Sequence, residues 1–161
     1  MADAPHILIV ESRFYPDISD QLAEGAIAAL SAAGATYERI EVPGAFELPA
    51  AISMAARGSA TGTGPAYDGY IALGCVIRGE TSHYDLVCQE AARGLQDLAV
   101  TAGLAIGFGV LTCENGEQAR VRADPKGRKN AGGRAAEACL RMIELRREFG
   151  FDDDDEIEDD D

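Results

Sequence analysis

The sequence predicts an α/β fold with three layers, in which helices cover both faces of a four-stranded parallel sheet. Two observations predict it: short apolar runs alternate with helical patterns along the chain, and four such runs recur at the spacing of strand–helix–strand units. The 161 residues, 47% hydrophobic and 26% charged, suffice for one globular domain with its own core. We assign residues 1–149 to this domain and residues 150–161 to an acidic tail.

The first half of the chain is predicted to contain two strands and two helices. Residues 6–10 (HILIV) form a continuous, β-branched run typical of a buried parallel strand. Residues 17–33 place apolar side chains at helical spacing and end before a glycine. Residues 36–42 alternate and suit a strand nearer the sheet edge. A Pro-Gly break precedes a helix over residues 46–56, and residues 58–65 (GSATGTGP) are predicted to form a flexible loop.

The second half continues the alternation. Residues 70–77 (YIALGCVI) are the most apolar strand and are predicted to lie centrally in the sheet. A long helix over residues 83–101 ends at a glycine, and residues 105–112 (AIGFGVLT) form the fourth strand. A short helix over residues 115–123, a basic turn and a last amphipathic helix over residues 132–149 complete the domain.

The net charge of −14 is concentrated at the end of the chain. Residues 152–161 carry nine acidic groups and no basic one, which leaves a net charge of about −5 for the rest. Nothing in this charge distribution suggests a protein that binds the phosphate backbone of nucleic acids. The tail has two interpretations: a disordered, solvating extension or a segment that docks on a partner.

The sequence contains no signal for a membrane or for a metal. No apolar run approaches the roughly 18–20 residues that a membrane span needs. The N-terminal residues lack the basic segment of a secretory signal, so we expect a cytoplasmic protein. There is no CxxC motif, and His6 and His83 are the only histidines. We therefore expect reduced, mostly buried thiols and no zinc site at the four cysteines, Cys75, Cys88, Cys113 and Cys139.

The segment after the third predicted strand, residues 78–83 (RGETSH), has the composition of an anion site. It opens a helix, whose first amide groups point outward and attract anions, and Thr81 and Ser82 add hydroxyl donors. His83 in the first helical turn is a candidate proton carrier near neutral pH. The alternatives are that Ser82 and Asp85 form a capping box at an ordinary helix start, and that His83 is exposed without a role.

Two further loops are expected at the same edge of the sheet, because ligands of parallel sheets bind outside the carboxyl ends of the strands. Within residues 43–49 (PGAFELP), Gly44 permits an unusual turn with free amide groups; the alternative is a plain strand-to-helix turn with Glu47 in the first helical turn. Phe14 either stacks on a flat heterocycle or folds back onto the core.

A basic cluster either pairs with a phosphate or is solvated: Arg122, Lys126, Arg128 and Lys129.

Four motifs together resemble the lumazine synthase family of riboflavin biosynthesis. They are SRFY at residues 12–15, VPGAFELP at 42–49, GCVIRGETSHYDLVC at 74–88 and FGVLTCENGEQA at 108–119. The resemblance covers residues 7–145, and two of the motifs agree with the family pattern nearly letter for letter.

The resemblance implies a flavodoxin-like sheet and a transferase. Members of the family condense 5-amino-6-(D-ribitylamino)uracil with 3,4-dihydroxy-2-butanone 4-phosphate, which yields 6,7-dimethyl-8-ribityllumazine and phosphate. No metal and no organic cofactor is implied. The implied partners are small-molecule substrates and further copies of the chain, not nucleic acid or a membrane.

The resemblance also implies the roles of individual residues. Phe14 stacks on the pyrimidine, Glu47 binds ribityl hydroxyl groups, and His83 moves protons. Glu80 and Thr81 hold the phosphate through amide groups and a hydroxyl. Four more residues line the pyrimidine site: Ala45, Phe46, Val76 and Ile77.

A homo-oligomer is implied as well, as a pentamer or a multiple of pentamers with active sites at the subunit interfaces. Phe108 and Arg122 then reach in from a neighbouring chain, and Arg122 meets the phosphate. Tyr15 departs from the usual Asn of the family. Ala131 departs from the Lys of an Asn-Lys-Gly motif, after a turn one residue longer than usual, and Lys129 is the candidate replacement. The longer turn favours a pentamer or decamer over a sixty-subunit shell.

The departure at Ala131 leaves an alternative function open. In this alternative the chain is a paralogue of low activity, which keeps the fold and acts as a flavin-binding or lumazine-binding protein or as a shell-forming assembly protein.

Overall fold

Four strands and five α-helices follow one another in the order that the alternation predicts. The computed structural model describes residues 3–152. The strands are β1 (His6–Ser12), β2 (Thr36–Val42), β3 (Gly69–Ile77) and β4 (Ile106–Cys113). The helices are α1 (Pro16–Ala32), α2 (Leu48–Thr61), α3 (His83–Ala102), α4 (Gly116–Ala123) and α5 (Ala131–Glu148).

All strand pairs are parallel, and the sheet has the order β2-β1-β3-β4. The predicted three-layer, flavodoxin-like α/β sandwich is therefore confirmed. β3 lies between two other strands, as its apolar sequence predicts. β2 lies at an edge and none of its side chains is fully buried, so its alternating pattern has no buried face in this chain.

Alternate residues of the central strands pack into two separate cores, one on each face of the sheet. On one face, Ile7 and Ile9 of β1 pack with Leu22 of α1 and Cys139 of α5. On the other face, Leu8 and Val10 pack with residues of α2 and α3, among them Leu48, Ile52 and Val87. Each fully buried side chain of this size contributes roughly 1.5–3 kcal/mol to folding.

The crossing of α1 and α5 is too close for side chains at two glycines. A Cβ on Gly132 would lie 2.0 Å from the carbonyl oxygen of Leu22, and a Cβ on Gly25 would lie 2.4 Å from Oδ1 of Asn130. Asn130 is the N-cap of α5 and has a left-handed φ of 34°. Its side chain accepts a hydrogen bond from the amide of Gly133 at 3.2 Å. The close contact therefore fixes the turn that precedes α5.

The second helix differs from its prediction at both ends. Residues Ala45–Glu47 form a 3-10 helix, and α2 begins only at Leu48, with a proline in its first turn. The helix continues through residues 58–61, so the first half of the predicted loop is wrong. Gly62, with a φ of 71°, ends the helix in the left-handed conformation. The hydroxyl of Thr61 also donates to the carbonyl of Arg57 at 2.9 Å, which supports the last turn.

The described chain ends in a closed turn after α5. Gly150 has a φ of 66°, and the amide of Phe151 donates to the carbonyl of Arg146 at 2.9 Å. The Phe151 ring lies against Gly103, just before β4, at the edge of the sheet where the strands begin. The predicted disorder of the tail falls mainly on residues 153–161, outside the described residues.

No helix among residues 3–152 has an apolar stretch of the length required to cross a membrane.

Candidate active site

A cleft of about 700 Å³ opens at the carboxyl ends of β1 and β3. The chain leaves these two neighbouring strands toward opposite edges of the sheet, and such a switch point is where parallel α/β sheets bind ligands. Seventeen residues line the cleft: Ser12, Phe14, Tyr15, Pro43, Gly44, Ala45, Phe46, Glu47, Cys75, Val76, Ile77, Gly79, Thr81, His83, Tyr84, Leu86 and Val87.

Eight of the twelve predicted site residues are among them: Phe14, Ala45, Phe46, Glu47, Val76, Ile77, Thr81 and His83. Sequence reasoning did not single out several others, although they adjoin the recognised motifs: Ser12, Cys75, Tyr84, Leu86 and Val87. Their signal was available, since each lies near a strand end or within one helical turn of a predicted residue.

Phe14 presents a flat apolar ring at one side of the cleft. It lies in the three-residue connection between β1 and α1 and is 71% exposed, so the alternative that it folds back onto the core is wrong. The rings of Tyr15 and Phe14 pack edge to face, with 5.0 Å between ring centres and an angle of 74°. Tyr15 itself is partly buried against the core, and this burial raises the pKa of its hydroxyl.

The turn after β2 forms the next part of the wall. Gly44 has a φ of −155°, an extended conformation that any residue adopts, so the predicted unusual turn at this glycine is wrong. A Cβ on Gly44 would lie 3.2 Å from Oε2 of Glu47. Ala45 is buried, whereas Phe46 and Glu47 are exposed along the cleft. The turn thus brings one carboxylate and one aromatic ring to the same opening.

The loop before α3 supplies polar groups on the other side. His83 is the first residue of α3, a helix of 20 residues whose N-terminus attracts anions. The hydroxyl of Thr81 accepts a hydrogen bond from the His83 amide at 3.3 Å. The alternative of a capping box at this helix start is wrong, because the Ser82 side chain makes no cap hydrogen bond. A Cβ on Gly79 would meet nothing within 4 Å, so space is open beside this loop.

Arg78 is bound by residues of its own chain and not directed into the cleft. Its guanidinium donates to the Asp85 carboxylate at 3.2 and 3.3 Å and to Glu114 at 2.9 Å. These hydrogen bonds raise the pKa of Arg78. The guanidinium carbon also lies 4.3 Å from the centre of the Tyr84 ring. Arg78 therefore links the start of α3 to the end of β4, and it explains why Asp85 does not cap the helix.

The floor of the cleft comes from the end of β3. Val76 and Ile77 are partly buried there, next to the buried Cys75. Burial raises the pKa of the Cys75 thiol to about 12, which keeps it protonated near neutral pH. All four cysteines are free thiols, and three of them are buried, as expected from the sequence. Among residues 3–152, no three His, Cys, Asp or Glu side chains are grouped closely enough to hold a metal ion.

Four predicted site residues do not line this cleft: Glu80, Phe108, Arg122 and Lys129. Glu80 is exposed in the loop before α3, whereas the other three follow or belong to the edge strand β4. Phe108 is 48% exposed and lines a second hollow, of about 360 Å³, between β4 and α3. Arg122 on α4 donates to the carbonyl of Gln118 at 3.0 Å. Lys129 is exposed just before α5.

Comparison with known proteins identifies the family. A family model described as 6,7-dimethyl-8-ribityllumazine synthase matches residues 4–147. A protein of that name from Agrobacterium fabrum is 57% identical over 146 residues, which cover 91% of this chain and 97% of the relative. 6,7-Dimethyl-8-ribityllumazine synthase 1 from Rhizobium meliloti is 57% identical over 145 residues, with 90% and 94% covered. A third relative, 6,7-dimethyl-8-ribityllumazine synthase from Bartonella tribocorum, is 54% identical over 150 residues, which cover 93% of this chain and 95% of the relative. With nearly the whole described domain matched at this level, the chain belongs to the 6,7-dimethyl-8-ribityllumazine synthase family.

Proposed function

We propose that this chain is a transferase of riboflavin biosynthesis that uses the cleft to make 6,7-dimethyl-8-ribityllumazine. The substrates are 5-amino-6-(D-ribitylamino)uracil and 3,4-dihydroxy-2-butanone 4-phosphate, and inorganic phosphate is released. The observation that carries the proposal is a single opening that joins an exposed aromatic ring, a carboxylate and a helix N-terminus with a histidine, in a chain of this family.

The pyrimidine is proposed to lie on the Phe14 side. A flat heterocycle gains from stacking on an exposed aromatic ring, and the Phe14 ring is free to receive one. Glu47 accepts hydrogen bonds from ribityl hydroxyl groups, while Ala45 and Phe46 flank the ring. Val76 and Ile77 form the apolar floor of this half of the cleft.

The phosphate is proposed to lie at the N-terminus of α3. The outward amide groups of Glu80 and Thr81 and the Thr81 hydroxyl are suitable donors to phosphate oxygens, and the helix dipole favours the negative charge. The open space beside Gly79 allows a close approach to the backbone. His83 is proposed to be the proton carrier, since it lies at this same helix start and lines the cleft.

The reaction requires these groups mainly to position reactants and move protons. The 5-amino group of the pyrimidine attacks the ketone, and loss of water gives an imine. A base, for which His83 is proposed, removes a proton from the adjacent carbon, and the C–O bond between the next carbon and the phosphate breaks. The resulting enol becomes a ketone, which the ribitylamino nitrogen attacks with loss of a second water. An amine and a ketone react without help, so much of the rate comes from holding them in attack geometry.

The active form is proposed to be a homopentamer or a multiple of pentamers, with a neighbouring chain completing each site. The positions of Phe108, Arg122 and Lys129 support this, because all three lie outside the cleft of their own chain. Phe108 is half-exposed in an apolar hollow, as expected of a contact residue. A cytoplasmic location fits the free thiols.

A synthesis assay tests the proposed function. Purified protein mixed with both substrates is expected to form the fluorescent lumazine and release one phosphate per lumazine. Light scattering of the same sample gives the mass of the assembly, so that a folded oligomer is established. A folded oligomer that binds the lumazine but forms none at saturating substrates would identify a binding protein instead.

A further inference from the structure

A buried carboxylate next to the cleft has no part in the reaction described above. Glu11, near the end of β1, is 3% exposed. It accepts two hydrogen bonds from Arg39 of β2, at 2.8 and 2.9 Å, and a third from Arg13 at 3.0 Å. A charge taken out of water requires such partners, so Glu11 is firmly held in place.

Arg13 extends this network to the first helix. Its guanidinium donates through Nη1 to Glu11 and through Nη2 to Asp20 of α1. These hydrogen bonds raise the pKa of Arg13. The planar guanidinium thus joins one buried carboxylate on the sheet to one exposed carboxylate on the helix, in a geometry that an ammonium group does not reproduce.

The residue that this network holds is the direct neighbour of Phe14. Only Arg13, Phe14 and Tyr15 separate the end of β1 from the start of α1. The Phe14 ring is largely exposed, and its aromatic contact is an edge-to-face one with Tyr15. The contacts of the Phe14 side chain therefore do little to fix the direction of the ring. The backbone on both sides of Phe14 is fixed, by the ion pairs of Arg13 and by the packing of Tyr15.

We propose that Glu11 and Asp20, acting through Arg13, are positioning residues for Phe14, which they hold in the direction needed to stack on the pyrimidine. The inference rests on the proposed function. It assigns the network to substrate geometry and not only to the stability of the fold.

Arg13→Ala is the informative variant, because it keeps the other interactions that stabilise this part of the fold. Glu11 keeps both hydrogen bonds from Arg39, so no buried charge loses all its partners. Glu11→Ala, by contrast, would remove the carboxylate that Arg39 contacts and leave Arg13 only its contact with Asp20. Arg141→Ala is the matched control, since Arg141 also bridges two carboxylates, Glu144 and Glu148, far along the chain on α5.

The first measurement is the affinity of each variant for 6,7-dimethyl-8-ribityllumazine. The fluorescence of the lumazine reports its binding. We expect Arg13→Ala to weaken it about tenfold, Arg13→Lys to weaken it less, and Arg141→Ala to leave it unchanged. In the synthesis assay, KM for the pyrimidine should rise while KM for the phosphorylated ketone and kcat stay within about twofold. Urea unfolding of all three variants provides the control for stability.

A double-mutant cycle then separates positioning from a structural effect. Phe14→Ala removes the ring on which the network is proposed to act. If Arg13 acts through Phe14, adding Arg13→Ala to Phe14→Ala changes lumazine affinity by less than about twofold. If the two substitutions reduce lumazine affinity additively, the proposal is overturned. It is also overturned if the reduced affinity of Arg13→Ala is accounted for by a smaller fraction of folded protein.

Phe14→Ala alone distinguishes this inference from the proposed function. If Phe14→Ala leaves lumazine affinity unchanged, the proposed pyrimidine site is wrong. If Phe14→Ala weakens binding and Arg13→Ala does not, the site stands and the positioning role of the network is wrong.

Discussion

The surroundings of individual arginines determine which of them can bind a substrate phosphate. Arg13 and Arg78 each contact two carboxylates. Arg122, by contrast, has no carboxylate within 4.0 Å among residues 3–152, and its guanidinium donates to the carbonyl of Gln118. A guanidinium without a counter-ion is suited to meet phosphate, whereas one that is already paired would first have to give up its partners.

Replacing Arg122 with alanine is therefore expected to weaken the binding of the phosphorylated substrate and to affect the binding of the pyrimidine much less. A hydrogen bond to a charged group contributes about 1.5–3 kcal/mol, so KM for 3,4-dihydroxy-2-butanone 4-phosphate should rise roughly tenfold to a hundredfold. KM for the pyrimidine should change less than about twofold. Steady-state kinetics with each substrate varied in turn measures both constants.

Arg120→Ala is the matched control for this prediction. Arg120 lies two residues earlier on the same helix and is paired with Glu117 at 2.8 Å. Its loss should leave both constants unchanged. Equal weakening of both substrates in Arg122→Ala would refute the assignment of Arg122 to the phosphate.

At the scale of elements, the sequence predicts the strands well and the ends of helices less well. The strands at residues 6–10 and 70–77 are continuous apolar runs, and such runs need two covered faces. The start of α2 was misplaced because a 3-10 helix over Ala45–Glu47 has the same local pattern as a first α-helical turn. Its end was misplaced because Gly58 resembles a stop signal, whereas Gly62 is the residue in the left-handed conformation.

The ion pairs that shape the site were beyond sequence reasoning. Glu11 and Arg39 meet because β1 and β2 pair in a particular register, and a sequence does not state that register. Asp85 follows the pattern of a capping box, but Arg78 lies within reach and competes for it. Motifs could therefore predict which loops meet at the cleft, but not which side chains within those loops bind each other.

The α1–α5 crossing gives a prediction about stability. Gly132→Ala places a methyl group 2.0 Å from the Leu22 carbonyl, so the two helices must move apart. We expect a loss of about 3 kcal/mol in the free energy of unfolding, the upper range for overpacking. Gly58→Ala is the matched control. Gly58 lies inside α2, and the added methyl would meet Gly64 at 3.6 Å, an ordinary contact, so alanine should stabilise that helix by about 0.5–1 kcal/mol. Urea denaturation measures both, and equal stability of the two variants would contradict the close crossing.

At the scale of the whole molecule, one chain does not hold a complete set of the predicted groups. His83 and Phe14 border the cleft at the carboxyl ends of the central strands, whereas Arg122 lies on α4, which follows β4, and does not line that cleft. The edge strand β4 and α3 border the apolar hollow that contains Phe108. An arrangement in which the β4 side of one chain faces the cleft of the next would cover this hollow and supply the missing cation at once.

Mixing two damaged chains tests this shared site directly. His83→Ala damages the cleft of its own chain, and Arg122→Ala damages the cleft of its neighbour if sites are shared. In assemblies formed from equal amounts of both variants, about a quarter of the interfaces then combine an intact His83 with an intact Arg122. Activity measured at low concentration of the phosphorylated substrate should accordingly rise above the sum of the two parents, to about a quarter of the unmodified enzyme. Co-refolding from denaturant produces the mixed assemblies, and each variant refolded alone is the control. If activity only equals that sum, although mass spectrometry shows mixed assemblies, His83 and Arg122 must act within one chain, and the proposed contribution of the neighbour is wrong.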